Sequence, residues 1–160
     1  MSDERWMDAA LREAEKALRR GEVPIGAVVV SGDRVIGRGY NRVESRACAS
    51  AHAELVAMES ASRKLGDWRL DGCVVYATVE PCHMCLGAMF LARVARVVYG
   101  ARQPRSGACG SIDDFHRSSV MGHRVETEGG VREAESLSLL RRFFEGLRTD
   151  DDRRRDARAG

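Results

Sequence analysis

No uncharged apolar stretch in this chain of 160 residues approaches the ~20 residues that a bilayer-spanning helix requires, so a membrane role has no support. An apolar signal region is missing too: Met1-Ser2-Asp3-Glu4-Arg5 opens straight into an acidic, amphipathic segment. With five cysteines, an odd number, a fully paired disulfide framework is not expected, and the expected location is cytoplasmic. There is no internal repeat and no second domain boundary. Nor is there a strong charge imbalance, since 24 acidic residues face 26 Lys and Arg for a formal net charge of +2. Nearly all the basic residues are Arg, whose planar fork suits phosphates and base edges.

What remains is ordinary globular material, 44% apolar and 31% charged, at the length of one domain. Met7, Ala10, Leu11, Ala14 and Leu18 recur at helical spacing over residues 3–20, ahead of Gly21. Two β-branched runs at 27–30 and 35–40 flank the turn residues Ser31-Gly32-Asp33 and predict a hairpin. A loop over 41–50 leads to a helix over 51–65; buried strands are expected at 74–79 and 94–99, with a helix over 82–91 between them. A Gly-bearing loop at 101–111 and an edge strand at 124–128 precede a last helix over 131–148, whose Leu137, Leu140, Phe144 and Leu147 predict a buried stripe.

These elements predict an α/β architecture: a mixed five-stranded sheet flanked by helices, with an opening hairpin and later strands joined by helical crossovers. Residues 1–148 form the single domain. Residues 149–160, whose only apolar residues are alanines, are expected to be a disordered tail.

The chemistry concentrates in His52-Ala53-Glu54 and Pro81-Cys82-His83-Met84-Cys85, each at the start of a predicted helix. Cys82 and Cys85 stand three apart, so on a first helical turn their sulfurs share a face and can grip one ion. His52 supplies a third ligand. Three protein ligands on Zn²⁺ leave a tetrahedral position for water, the pattern of a catalytic site. Two thiolates and a neutral imidazole make the centre formally neutral, which leaves a nucleophilic hydroxide that the two helix amino termini help to hold. Glu54, two residues from a ligand, can move the proton of that water to the substrate and the departing amine.

Other readings compete. A structural zinc site would need a fourth ligand from Cys48, Cys73, Cys109 or another histidine, and a thioredoxin-like dithiol would leave His52-Ala53-Glu54 without a task. His83 is expected to line the pocket or the surface, and Cys48, Cys73 and Cys109 to be small buried or incidental thiols, with Cys109 partly exposed. Arg102, Arg105, Arg141, Arg142 and Arg148 could face phosphates around the pocket or simply be solvated. Of Phe143 and Phe144, one ring is expected to pack inward and the other to border the site.

The two motifs resemble the cytidine and deoxycytidylate deaminase superfamily, with its His-x-Glu and Pro-Cys-x-x-Cys signature. Within it the chain is similar to the bacterial tRNA-specific adenosine deaminases, from residues 23–30 through Asn41-Arg42, Glu80-Pro81, Gly87-Ala88-Met89 and 96–101 to Gly110-Ser111, His123-Arg124-Val125 and Phe143-Phe144 with Arg148. That resemblance implies a three-layer cytidine-deaminase-like fold and one Zn²⁺ per subunit on His52, Cys82 and Cys85, with Glu54 as proton shuttle. It implies Asn41 as a contact to a flipped base, amides of Ala53 and Cys82 facing the reacting centre, and Val23 and Phe144 walling the pocket, with Arg148 among the substrate contacts. The implied product is inosine at the wobble position of a tRNA anticodon stem-loop, made by a homodimer. The alternatives are a deaminase of free guanine, cytosine or adenosine on the same fold, and a non-enzymatic zinc-stabilised RNA-binding module. Two departures stand out: Gln103 occupies a place where that family usually carries an acidic contact to a ribose hydroxyl, and Asp150-Asp151-Asp152 is acidic where many relatives are basic.

Overall fold

The computed structural model describes residues 2–159. Helix α1 (Asp3–Arg19) leads into the antiparallel hairpin of β1 (Gly26–Ser31) and β2 (Arg34–Tyr40), followed by a single turn α2 (Val43–Arg46) and helix α3 (Ala53–Leu65). Then come β3 (Val74–Val79), α4 (His83–Leu91), β4 (Arg96–Ala101), β5 (Glu126–Glu128) and α5 (Glu133–Ala159). The five strands form one sheet in the order β2-β1-β3-β4-β5. β1 runs antiparallel to both β2 and β3, whereas β3, β4 and β5 are parallel, so the sheet is mixed as expected.

Alternation along the strands divides the core between the two faces. Val28, Val30, Tyr76 and Val98 pack with Trp6, Met7 and Ala10 of α1. Ala27, Val29, Val75, Ala77 and Val97 point the other way, against Ala57 and Ala61 of α3 and Leu86, Met89 and Phe90 of α4. The result is a three-layer structure in which each fully buried Val contributes about 1.5–3 kcal/mol of transfer free energy. Gly37 and Gly39 of β2 face α3 so closely that a Cβ would sit 2.2 Å from the Ala57 carbonyl oxygen and 2.5 Å from that of Ala53. Only glycine lets the strand lie on the helix backbone there, and this fixes where α3 begins.

Asp3 locks α1 to the sheet. Its carboxylate accepts bonds from Arg96 Nη1 (3.0 Å) and Nη2 (2.9 Å) and from Tyr76 Oη (2.7 Å). The Arg96 guanidinium holds the Asp3 carboxyl below its ordinary range. Asp3→Asn is therefore expected to cost about 1–2 kcal/mol at pH 7, toward the low side because water reaches the pair. A folded-state value below the unfolded one gives stability that is present above about pH 4 and fades as acid protonates the native carboxylate. Urea denaturation should thus separate variant and parent at pH 7 and bring them progressively together as the pH falls below about 4; equal stability at pH 7 would contradict the role.

Three expectations change. β3 and β4 are joined by helix α4, but the 24-residue passage from β4 to β5, residues 102–125, holds only the short 3-10 turn Phe115–Arg117. Pro104, Gly107, Gly110 and Gly122 interrupt any helix there. Helix α5 runs on through the segment expected to be a disordered tail. Asp150/Arg154 and Asp151/Arg155 stand four apart in the acid-first order that supports an exposed helix. The stripe expected to be buried on α5 is largely exposed, with Leu137, Phe144 and Leu147 at 38%, 50% and 47%; Ser136 and Leu139 are buried instead. Gly100 on β4 admits Ser136 at close range and so turns that neighbouring face of α5 onto the sheet.

Candidate active site

The sheet delivers two helix amino termini to one place. His52 is the N-cap of α3 and Cys82, three residues past the end of β3, is the N-cap of α4; both have extended backbones, and neither side chain caps its own helix. Both side chains turn to each other instead. His52 Nδ1 lies 3.7 Å from Cys82 Sγ and 3.5 Å from Cys85 Sγ. A tetrahedral ion at zinc's usual ligand distances spaces a sulfur and a nitrogen by about 3.6 Å, so this donor set fits such an ion.

Protonation follows from the same packing. The hydrogen bond from Cys85 pulls the Cys82 thiol down to about 4, against the opposing effect of burial. Cys85 is pushed up by that same bond and by burial, and the Cys82 sulfur raises His52. Cys82 is thereby biased toward the thiolate that a cation site needs. Among the described residues no fourth His, Cys, Asp or Glu joins the group. Cys48 is exposed, while Cys73 and Cys109 are buried; Cys109, expected to be partly exposed, lies in the buried stretch 107–109.

Glu54 stands in the first turn of α3 with only 4% of its surface exposed. Burial pushes its carboxyl up to about 7, with the Cys82 charge adding to the rise and a hydrogen bond to its own backbone opposing it. A carboxyl near neutrality can both take and return a proton at physiological pH.

These groups open on a cavity of about 250 Å³, whose walls include Val23, Asn41, Ala53 and Gln103 along with His52, Glu54 and Cys82. A larger, more open groove of about 1000 Å³ runs along residues 116–127, but no ligand of the set lines it. Asn41 is held on both sides: Nδ2 donates to the Val23 carbonyl at 3.3 Å, and Oδ1 accepts from the Val43 amide at 3.3 Å. Its remaining hydrogen and lone pair can serve a ligand. Phe144 and Arg148 are not among the residues that line the cavity, and both are exposed; Phe143 is half-buried and meets Phe144 edge to face. His83 is on the surface, with Nε2 2.7 Å from Asp113 Oδ2.

Two buried carboxylates that line the cavity were not singled out from the sequence. Glu22, 1% exposed, accepts the amides of Glu44 (3.2 Å) and Ser45 (2.6 Å) and so holds α2, the turn missed inside the loop expected at 41–50. Glu80, 3% exposed, holds the far wall. The available signal was an acidic residue directly before Pro81, at the end of an apolar strand, where an unpaired charge would be costly.

The comparisons agree with this geometry. The family model described as MafB19-like deaminase matches residues 1–148. The tRNA-specific adenosine deaminase of Bacillus subtilis (strain 168) is 42% identical over 146 residues, covering 91% of each chain. Among solved structures, a tRNA:A34 deaminase, described as performing A-to-I editing at the wobble position of transfer RNA, superposes with a TM-score of 0.82 at 41% identity, over 85% of this chain and 99% of that one. A guanine deaminase from Nitrosomonas europaea superposes with a TM-score of 0.74 at 27% identity, over 89% of this chain and 84% of that one. With a shared fold, a matching motif set and this degree of identity along nearly its whole length, the chain belongs to the MafB19-like deaminases and, among them, to the tRNA-specific adenosine deaminase family.

Proposed function

We propose that this enzyme converts adenosine to inosine at the wobble position of a tRNA anticodon loop, with one zinc ion held by His52, Cys82 and Cys85. The carrying observation is that His/Cys/Cys set, lacking a fourth protein ligand among the described residues, beside the buried Glu54. When bound, zinc acidifies a water molecule and makes it a nucleophile near neutral pH. Glu54 would accept the proton that the water gives up and pass it to the ring nitrogen, then carry the remaining proton of the added hydroxyl to the amine, so that the C6–N bond breaks, ammonia leaves and the water oxygen becomes the inosine carbonyl. Asn41, fixed by Val23 and Val43, orients the base.

Size supports a single extruded base as the occupant. About 250 Å³ lies just under the usual ~300–1,000 Å³ of small-molecule pockets, which suits one base with its ribose and neighbours left on the surface. The likeness to a guanine deaminase favours, as a second reading, a free base in the same cavity. Incubating the pure enzyme with an anticodon stem-loop and, separately, with guanine, cytosine and adenosine decides between them. The expected result is adenosine read as guanosine at the wobble position; ammonia released from a free base, with an unchanged stem-loop, would overturn it. We propose the homodimer on the strength of exposed Leu65, Trp68 and Leu91, which belong to two segments tied together by the Leu70–Ala92 backbone bond. Sedimentation equilibrium giving a single-chain mass of 17.7 kDa would contradict it.

A further inference from the structure

We infer that Glu80 is a positioning residue for the substrate side of the cavity, and that through it Gln103 is presented as a hydrogen-bond donor to an acceptor oxygen of the bound nucleotide. The inference rests on the nucleic-acid reading above and adds to it the polarity of one contact.

Glu80 follows the last residue of β3, and its own amide donates to the Ala101 carbonyl at 2.8 Å, which ties it to the end of β4. From there its carboxylate serves four donors. Oε1 accepts the amides of Cys109 (3.0 Å) and Ser111 (3.1 Å), while Oε2 accepts the amide of Gln103 (3.0 Å) and the Ser111 hydroxyl. The chain from 103 to 111 therefore wraps round a single side chain. Gly107 is part of the same arrangement: a Cβ there would stand 2.4 Å from the Glu80 carboxyl carbon and 2.5–2.6 Å from its oxygens. Two further bonds, Gly107 N–H to the Gln103 carbonyl (2.8 Å) and Ala108 N–H to the Pro81 carbonyl (2.9 Å), close the loop on itself and on the segment leading to Cys82.

Without that anchor, each freed loop residue would regain about 1–2 kcal/mol of backbone entropy, so the loop would not hold one shape. Gln103 is the residue this order serves, because it lines the cavity. Its Oε1 accepts the Arg105 amide at 3.3 Å. An N–H must face the oxygen of the side-chain amide, so the Nε2 end is the other one, and it has no protein hydrogen-bond partner among the described residues. Sequence alone left Gln103 able to accept from a ribose hydroxyl. The Arg105 amide takes one of the two lone pairs of Oε1 and none of the Nε2 hydrogens, so the side chain is weighted toward donating, to an oxygen lone pair of ribose or phosphate.

The test replaces Glu80 by Gln, whose amide nitrogen must face one pair of these donors and cannot accept from them. Amide hydrogen exchange in residues 103–111 is expected to rise ~10-fold or more while exchange in β1 stays unchanged. With the stem-loop, KM is expected to rise ~10-fold with kcat within ~3-fold, and zinc content unchanged, as loss of a binding contact requires. On a Gln103→Ala background, Glu80→Gln is expected to raise KM no further. Gly107→Ala, which pushes the carboxylate from the opposite side, should reproduce the exchange and KM changes. Unaltered exchange, multiplying KM effects in the double variant, loss of zinc, or a fall in kcat at constant KM would each overturn the inference. A parent enzyme inert on the stem-loop would instead sink the transfer-RNA reading; the exchange rates then decide the anchoring by Glu80, and KM for whichever free base is turned over decides the dependence on Gln103.

Discussion

Replacing Glu54 by alanine is expected to lower kcat by ~10² to 10⁴ while leaving the fold and one zinc per chain in place. The carboxylate lies two residues from His52 and lines the same cavity, yet it is not one of the donors that converge there. Burial places it near neutrality, where a proton moves in either direction at little cost. Folding gains nothing from burying such a group, since burial disfavours its charged form. Stability of the variant should therefore equal or exceed that of the parent, and the loss should fall on turnover alone. Metal analysis, thermal melts and single-turnover kinetics check the three parts together. Activity within a few-fold of the parent would remove Glu54 from proton transfer and would favour a zinc-stabilised RNA-binding module over an enzyme.

Cys82→Ala should fail in the opposite way. With one sulfur gone, the remaining donors are one imidazole and one thiolate, too few for tight binding of a tetrahedral ion, and zinc is expected to be lost on purification. Turnover should fall further than in Glu54→Ala, to the background rate, because the nucleophile and the proton shuttle lose their common reference point. Added zinc should restore little of it. Elemental analysis showing stoichiometric metal in Cys82→Ala would mean that another side chain holds the ion. Together the two variants separate metal binding from proton transfer, which either alone would leave mixed.

The ligand set was legible because its spacing is a local property. Cys82 and Cys85 meet on one helical turn wherever that turn lies, and the apolar run of residues 74–79 placed the turn at the end of a buried strand. Meeting His52 is a long-range event, and it came from the resemblance and from the Gly37 and Gly39 packing that only the structure shows. The strands and helices α1, α3 and α4 followed from period and turn chemistry. What escaped depended on the partner rather than on the segment. The face of α5 that is buried is chosen by Gly100 opposite Ser136, not by its most apolar stripe, so Leu137, Phe144 and Leu147 lie outside. Glu22 and Glu80 escaped because a buried carboxylate is stabilised by amides distant in sequence; beyond the place of Glu80 between an apolar strand and Pro81, no local pattern announces them. Gln103 was noticed as a departure from its family, but the direction of its hydrogen bond depends on Arg105.

X-ray absorption at the zinc edge of the purified enzyme tests the account most directly, because everything in it needs three protein donors and one open place. The predicted spectrum has two sulfur neighbours at about 2.3 Å and two lighter nitrogen or oxygen neighbours at about 2.0 Å. A third or fourth sulfur, or protein that carries no zinc when prepared without chelators, would contradict it.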